Sequence, residues 1–247
     1  MTSRPAAFSR QLPLEGVYNV RDLGHYPTRD GKRTRSGRFL RSDNIGKLSE
    51  AARQQLVDWG LKTIVDLRFD AEVKLFTHCF ASHDCVTYHN VSLINPVILA
   101  NTEEREHLYQ FYTYLLEDGK EEFRQVIEIL AETENQPALF HCHAGKDRTG
   151  LIAGLLLSLA NVAPGIIADD YALTRQYIAP LIEMWREEAI GRGQDMQKFD
   201  RDNACDPRTM LETLKYLDEN YGGAEKYLRA SGVSQANLDS LKAALVE

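Results

Sequence analysis

The apolar positions of this chain change period several times, and each change marks a predicted element. Residues 16–26 and 33–41 flank an Asp30-Gly31 pair, the usual signal for a tight hairpin turn, so the chain is expected to open with a β-hairpin. Ala52, Leu56 and Trp59 then fall on one helical face, with Ser49 as an N-cap and Gly60 as a left-handed stop. The next run, 63–67, is apolar and β-branched without alternation, the pattern of a strand covered on both faces, and 86–93 looks similar. Residues 103–117 and 120–132 read as helices, the second carrying Phe123, Val126, Ile127 and Leu130 along one stripe. Pro137 opens a short apolar strand, Ala138-Leu139-Phe140, and 151–160 is apolar all round, which predicts a central buried helix. Beyond Pro164 the pattern is helical to the end. Within that region the polar, turn-rich stretch 191–207 reads as a surface loop, and Ser234 caps a last helix presenting Leu238, Leu241 and Leu245.

Strands alternating with helices predict an α/β fold: a central, mainly parallel or mixed sheet flanked by helices, with a helical C-terminal third. A chain of 247 residues is expected to form one domain over 1–247, with 1–12 as an N-terminal arm. Composition adds exclusions. With 43% hydrophobic and 26% charged residues the chain folds rather than staying disordered. A formal net charge of -7 speaks against nucleic acid as a partner, so any anion site must be local. The longest apolar stretch is too short to span a bilayer and the N-terminus lacks the apolar core of a signal peptide. The expectation is a cytoplasmic protein with no integral membrane association, export without a signal peptide being left open. The cysteines, Cys79, Cys85, Cys142 and Cys205, form no CxxC pairs, so neither a zinc site nor a disulfide scaffold is expected.

The chemistry gathers between the short strand and the buried helix. Five residues, including Gly145, separate Cys142 from Arg148, so the loop can curl with its backbone amides turned toward one anion. The helix that follows directs its positive end at the same point, which attracts phosphate and favours a thiolate at Cys142. A thiolate can attack phosphorus in line and form a cysteinyl-phosphate, dividing one hydrolysis into two easier steps. The planar fork of Arg148 can grip two equatorial oxygens, and Thr149 can donate to the departing sulfur.

The stretch His141-Cys142-His143-Ala144-Gly145-Lys146-Asp147-Arg148-Thr149-Gly150 resembles the signature loop of the protein tyrosine phosphatase superfamily, His-Cys, five residues, Arg, then Ser or Thr. More narrowly, it is similar to the bacterial atypical tyrosine and dual-specificity phosphatases typified by mycobacterial tyrosine phosphatase B. Asn19 to Gly24, Arg41-Ser42, Val65 to Arg68 and Tyr221 to Leu228 look like landmarks of that group, so the resemblance spans residues 12 to 245. It implies a phosphatase acting on phosphotyrosine, often with phosphoserine, phosphothreonine or phosphoinositides, with inorganic phosphate as product and neither metal nor cofactor. Phosphorylated proteins or phosphoinositides would be its partners. His143, Ala144, Gly145, Lys146, Asp147 and Arg148 would bind the phosphate, His141 and Thr149 would support the thiolate, and a helical lid would map onto 164–207.

The Trp-Pro-Asp triplet that carries the general acid in standard tyrosine phosphatases is missing. Asp147, placed inside the loop as in the myotubularin-like lipid phosphatases, is the first candidate, and Asp66 and Asp70 are the reserves. Lys146 has a counterpart in lipid phosphatases, where it favours multiply phosphorylated head groups. A silent phospho-ligand binding module remains as a rival, as does a thiolate-based sulfurtransferase or arsenate reductase. Blander readings stand beside these: Arg21 and Asp22 as a structural ion pair, Trp185 as helix packing, His143 as a solvent-facing side chain, and Arg29, Lys32, Arg33, Arg35, Arg38 and Arg41 as a solvated cluster.

Overall fold

The computed structural model describes residues 10–76, 79–80, 85–100 and 107–247. In chain order its first half comprises β1 (Arg21–Asp22), β2 (Phe39–Ser42), α1 (Glu50–Asp58), β3 (Thr63–Asp66), α2 (Asp70–Leu75), β4 (Thr87–Asn90), α3 (Pro96–Ala100), α4 (Leu108–Asp118) and α5 (Lys120–Ala131). The second half comprises β5 (Ala138–His141), α6 (Asp147–Leu159), α7 (Pro164–Tyr177), α8 (Ala179–Gly191), α9 (Met196–Asn203), α10 (Pro207–Tyr221), α11 (Ala224–Ala230) and α12 (Gln235–Leu245).

The sheet runs β1-β2-β5-β3-β4, with β1 antiparallel to β2 and the other pairs parallel. Register aligns Leu40, Leu139 and Ile64 in one row and Arg41, Phe140 and Val65 in the next. Successive side chains leave opposite faces of a sheet. The first row therefore packs with Leu56 and Leu61 on the α1 side, while Phe140 and Val65 join the larger core with Phe123, Leu151 and Ile152 on the other. Both faces are covered, which is why these strands read as continuous apolar runs. The row that follows, Ser42, His141 and Asp66, closes the carboxyl ends of three parallel strands, where open α/β sheets place their ligand sites.

The helix predicted at 151–160 begins earlier, at Asp147, and is buried along nearly its whole length beneath α7, α11 and α12. A Cβ on Gly150 would lie 3.1 Å from the Tyr171 ring, so the bare glycine lets α7 approach. Ser49 and Ser234 cap α1 and α12 as expected, accepting from the amides of Ala52 and Asn237. By contrast, α8 has Ala189 as its buried residue and α9 has none, so the pair forms a lightly anchored helical hairpin. Among the described residues no helix is long and apolar enough to cross a membrane.

Three expectations need correction. The hairpin is present in outline, closed at Asp30-Gly31 by Thr28 donating to the Lys32 carbonyl, but its regular strands shrink to 21–22 and 39–42. The Asp22 carboxylate takes the amides of Gly24 and Gly37, pulling the chain out of register beyond that point. The 86–93 run is a half-exposed edge strand rather than a covered one. Within 191–207, residues Met196–Asn203 are helical, capped by Asp195, with the Arg186 guanidinium 5.2 Å from the Phe199 ring centre. The predicted helix at 103–117 is described from Leu108 onward; 103–106, like most of the 1–12 arm, lies outside the described residues.

Candidate active site

At the end of β5 the chain turns through Cys142 to Lys146 and re-enters regular structure at Asp147, leaving Cys142 1% exposed. The loop is tied from behind. The His143 carbonyl accepts from the Asn44 amide at 2.9 Å, and the Ala144 carbonyl accepts from Asn19 Nδ2 at 3.0 Å. The Gly145 carbonyl accepts from Asn19 Nδ2 at 3.1 Å and from Arg41 Nη2 at 2.8 Å. In a trans peptide the C=O and N–H point in opposite directions. Three carbonyls held outward therefore turn the amides of Ala144, Gly145 and Lys146 inward, and the first turn of α6 adds its own free N–H groups. Gly145 has φ +67°, and a Cβ there would lie 2.5 Å from the Ser42 carbonyl oxygen, so this position requires glycine.

Arg148, in the first turn of α6, is held by both carboxylate oxygens of Glu72, at 2.5 and 2.8 Å. Burial works against charge on both partners, yet the pairing outweighs it, leaving Glu72 below and Arg148 above its ordinary value. Glu72 is carried on α2, and the segment before α2 is strapped down by Arg68. Arg68 bonds Asp66, Asn44 Oδ1 at 3.1 Å and the Phe76 carbonyl at 3.1 Å. Asp66 is thus fully committed: it also accepts from Tyr88 Oη at 2.8 Å and lies 3.7 Å from His141 Nε2. Burial raises Asp66, but His141 and Arg68 more than offset it and the carboxyl sits below its ordinary value. Burial pushes His141 down, while the Asp66 carboxylate beside it pulls the other way.

Asp147 projects from the loop-to-helix junction, a quarter exposed, and its Oδ1 accepts from Tyr112 Oη at 2.7 Å. Burial and the neighbouring Asp147 push Tyr112 well up, so it keeps its proton and donates; its own oxygen is 2.8 Å from Tyr171 Oη. Asp70 is exposed at the start of α2. The Thr149 hydroxyl is buried and has no hydrogen-bond partner among the described residues. Lys146 is 2% exposed and donates to the carbonyls of Asp202 and Ala204 at the end of α9, with Asp147 Oδ1 3.3 Å away. His143 is half-buried: its ring stacks on Trp185 of α8 with centroids 5.3 Å apart, and Phe76 lies 5.6 Å away. His143 therefore does not simply face solvent, and Trp185 packs on the loop rather than on its helical neighbours alone.

Two further readings change. Arg21 does not pair with Asp22, because adjacent strand residues leave opposite faces; its Nε bonds Asp170 Oδ1 at 2.8 Å. Of the basic cluster, Arg29, Lys32 and Arg33 are solvated, whereas Arg41 is 1% exposed and sits against the loop. Sequence reasoning missed Glu72, Tyr112 and Asp170, none of which lies in a recognisable local pattern. Among the described residues no group of three or more His, Cys, Asp or Glu side chains could hold a metal ion.

Asp43, behind the loop, accepts from the amides of Tyr18 and Asn19 at 3.1 and 2.9 Å, yet burial pushes it up to about 6. A carboxyl raised on folding binds its proton more tightly in the native state, so this group's contribution to stability falls as pH rises from the ordinary carboxylate range to about 6. Carboxyl NMR is expected to place its titration near the upper end of that window, and an ordinary Asp midpoint would contradict the burial seen here.

A cysteine beneath a nest of inward amides, with an arginine pinned at the rim and a helix N-terminus behind, defines a cysteine-based phosphatase, a phosphoric monoester hydrolase. The family model of the tyrosine phosphatase family matches residues 12–247, and the chain belongs to that family. A tyrosine-protein phosphatase of Nostoc commune is 33% identical over 216 residues, covering 84% of this chain and 74% of its own. The triple specificity protein phosphatase PtpB of Mycobacterium tuberculosis is 26% identical over 96% of this chain and 99% of its own. The inositol diphosphatase SIW14 of Saccharomyces cerevisiae is 35% identical over 28% of this chain and 26% of its own.

Proposed function

We propose that the protein hydrolyses phosphotyrosine, and also phosphoserine, phosphothreonine and phosphoinositides, through a cysteinyl-phosphate on Cys142. The observation that carries this reading is the set of three consecutive loop carbonyls tied outward, which aims the amides of Ala144, Gly145 and Lys146 at one point above Cys142. Cys142 attacks phosphorus, the ester oxygen leaves with a proton, and water then releases inorganic phosphate. Arg148 neutralises two equatorial oxygens, with Glu72 holding the fork in plane. The breadth of substrates draws on the names of two relatives, a triple specificity phosphatase and an inositol diphosphatase.

Asp147 is the proton donor in this scheme. It is partly exposed beside the nest and oriented by Tyr112, whereas Asp66 is spent on Arg68 and Tyr88. The lid is narrower than 164–207, because α7 is built into the core through Ile167, Ala168, Asp170, Tyr171 and Thr174. It comprises α8 and α9, resting on the loop through the Trp185–His143 stack and the bonds from Lys146 to the end of α9.

The test is steady-state turnover of a phosphotyrosine peptide, a phosphoserine peptide and soluble phosphoinositides. Asp147→Asn is expected to lower kcat about 100-fold on phosphoserine, whose alkoxide leaves poorly, and far less on an activated aryl phosphate. Asp70→Asn should stay within about twofold of wild type on both. Equal losses on good and poor leaving groups would remove Asp147 as the acid. Binding of all these ligands with no phosphate release would overturn the catalytic reading.

A further inference from the structure

Behind the loop lies a group of charges that the chemistry above does not use. Asp170, on α7, is 1% exposed and serves two guanidiniums at once. Its Oδ1 accepts from Arg21 Nε at 2.8 Å and from Tyr26 Oη at 2.7 Å, and its Oδ2 accepts from Arg41 Nη1 at 2.5 Å. Arg21 is further held by the Asp170 carbonyl at 2.9 Å and Thr174 Oγ1 at 3.2 Å. Both arginines then reach toward the loop. Arg21 Nη1 bonds Asn19 Oδ1, which turns the amide nitrogen of Asn19 onto the carbonyls of Ala144 and Gly145. The second nitrogen of Arg41 goes directly to the Gly145 carbonyl at 2.8 Å.

As a pure stability device this is a poor arrangement. Two buried cations share one anion, Arg41 Nε has no partner among the described residues, and an apolar core of the same volume avoids the desolvation altogether. As a positioning device it is economical, since it fixes the outer carbonyls that aim the inner amides. We infer that Arg21, Arg41 and Asp170 together position the phosphate-binding loop, acting through Asn19 and the Gly145 carbonyl, so that α7 bears on the geometry of the nest through these charges. The inference rests on the phosphatase reading of that loop. It also explains the run from Asn19 to Arg21: the first residue grips the loop and the third sets the rotamer of the first.

The test compares Asp170→Asn, Asn19→Ala and Tyr26→Phe with wild type, measuring inhibition by inorganic phosphate, kcat and KM separately, and thermal melting. Asp170→Asn is expected to weaken phosphate about tenfold and lower kcat/KM about 100-fold, with kcat taking a share of the loss because amides aimed at the transition state are misaligned. Asn19→Ala leaves the three charges paired and is expected to weaken phosphate about tenfold, with a smaller fall in melting than Asp170→Asn. Tyr26→Phe removes a bond to the same carboxylate but no arm to the loop, so it should lower melting without weakening phosphate. If Asp170→Asn does not fold, Asn19→Ala decides alone. Folded variants that bind phosphate and turn over like wild type overturn this inference and leave the phosphatase reading intact. A wild type that neither binds phosphate nor releases it overturns both.

Discussion

Replacing Cys142 with serine is expected to abolish phosphate release, by at least about 10⁴-fold in kcat, while leaving the affinity for inorganic phosphate within a few-fold of wild type. The two halves of this expectation come from different parts of the structure. Turnover depends on the sulfur as nucleophile and leaving group, and a hydroxyl in the same place ionises far too weakly to replace it. Binding depends on amides fixed by Asn19, Asn44 and Arg41 from behind, and none of those contacts involves the sulfur. Serine is nearly isosteric, so this buried position should repack with little change in melting. Measured turnover within tenfold of wild type would exclude Cys142 as the nucleophile. Loss of phosphate binding together with turnover would mean that the loop, not the chemistry, had been damaged.

Arg148→Lys should lower kcat/KM about 10³-fold, the second largest effect expected of a single site. Lysine keeps the charge but not the fork, and here the fork matters twice: one edge takes Glu72 through two bonds, and the guanidinium plane so fixed is what can face two phosphoryl oxygens. Glu72→Gln keeps the shape of the anchor and removes its charge, so a smaller loss of about 10- to 100-fold is expected, concentrated in kcat. The same pair predicts a pH effect of definite sign. Glu72 is held below its ordinary value by Arg148 even though burial opposes it, so its contribution to stability is fully present above the ordinary carboxylate range and fades as pH falls through its lowered value. Acid unfolding of Glu72→Gln should therefore be shallower than that of wild type. An equally steep acid limb in both proteins would show that Glu72 is not the group involved.

Much of the site was legible in the order of residues because its central part is local. The loop from Cys142 to Arg148, the short strand before it and the buried helix after it follow one another along the chain, and each carries its own signal: a β-branched or apolar run, a glycine where the backbone must turn, an all-round apolar helix. The landmarks at Asn19 to Gly24, Arg41-Ser42 and Val65 to Arg68 also gather around the loop. Their work, however, differs from what adjacency suggests. Arg21 and Asp22 look like a pair on paper, but strand geometry sends them apart, one to Asp170 and the other to the amides of Gly24 and Gly37. The stretch 191–207 misleads in another way. Its polar composition suits a loop, but the Asp195 cap and the contacts of Phe199 and Asp200 with Arg186 are enough to wind one short helix over the site.

The sequence by itself determined the layered α/β scaffold and singled out Cys142 and its loop as the proposed nucleophile and phosphate cradle, since each is written as a local pattern whose physical consequence follows from spacing and side-chain type. Tertiary structure alone decided which groups hold that cradle in working order. Glu72 meets Arg148 across 76 residues, Tyr112 meets Asp147 across 35, and Asp170 meets Arg21 across 149. No periodicity links positions so far apart. Their meeting is set by parallel strand order and by tertiary approach such as that of Tyr112 to Tyr171, and their strength comes from burial, where a charge or hydroxyl must find its partner or cost the fold dearly.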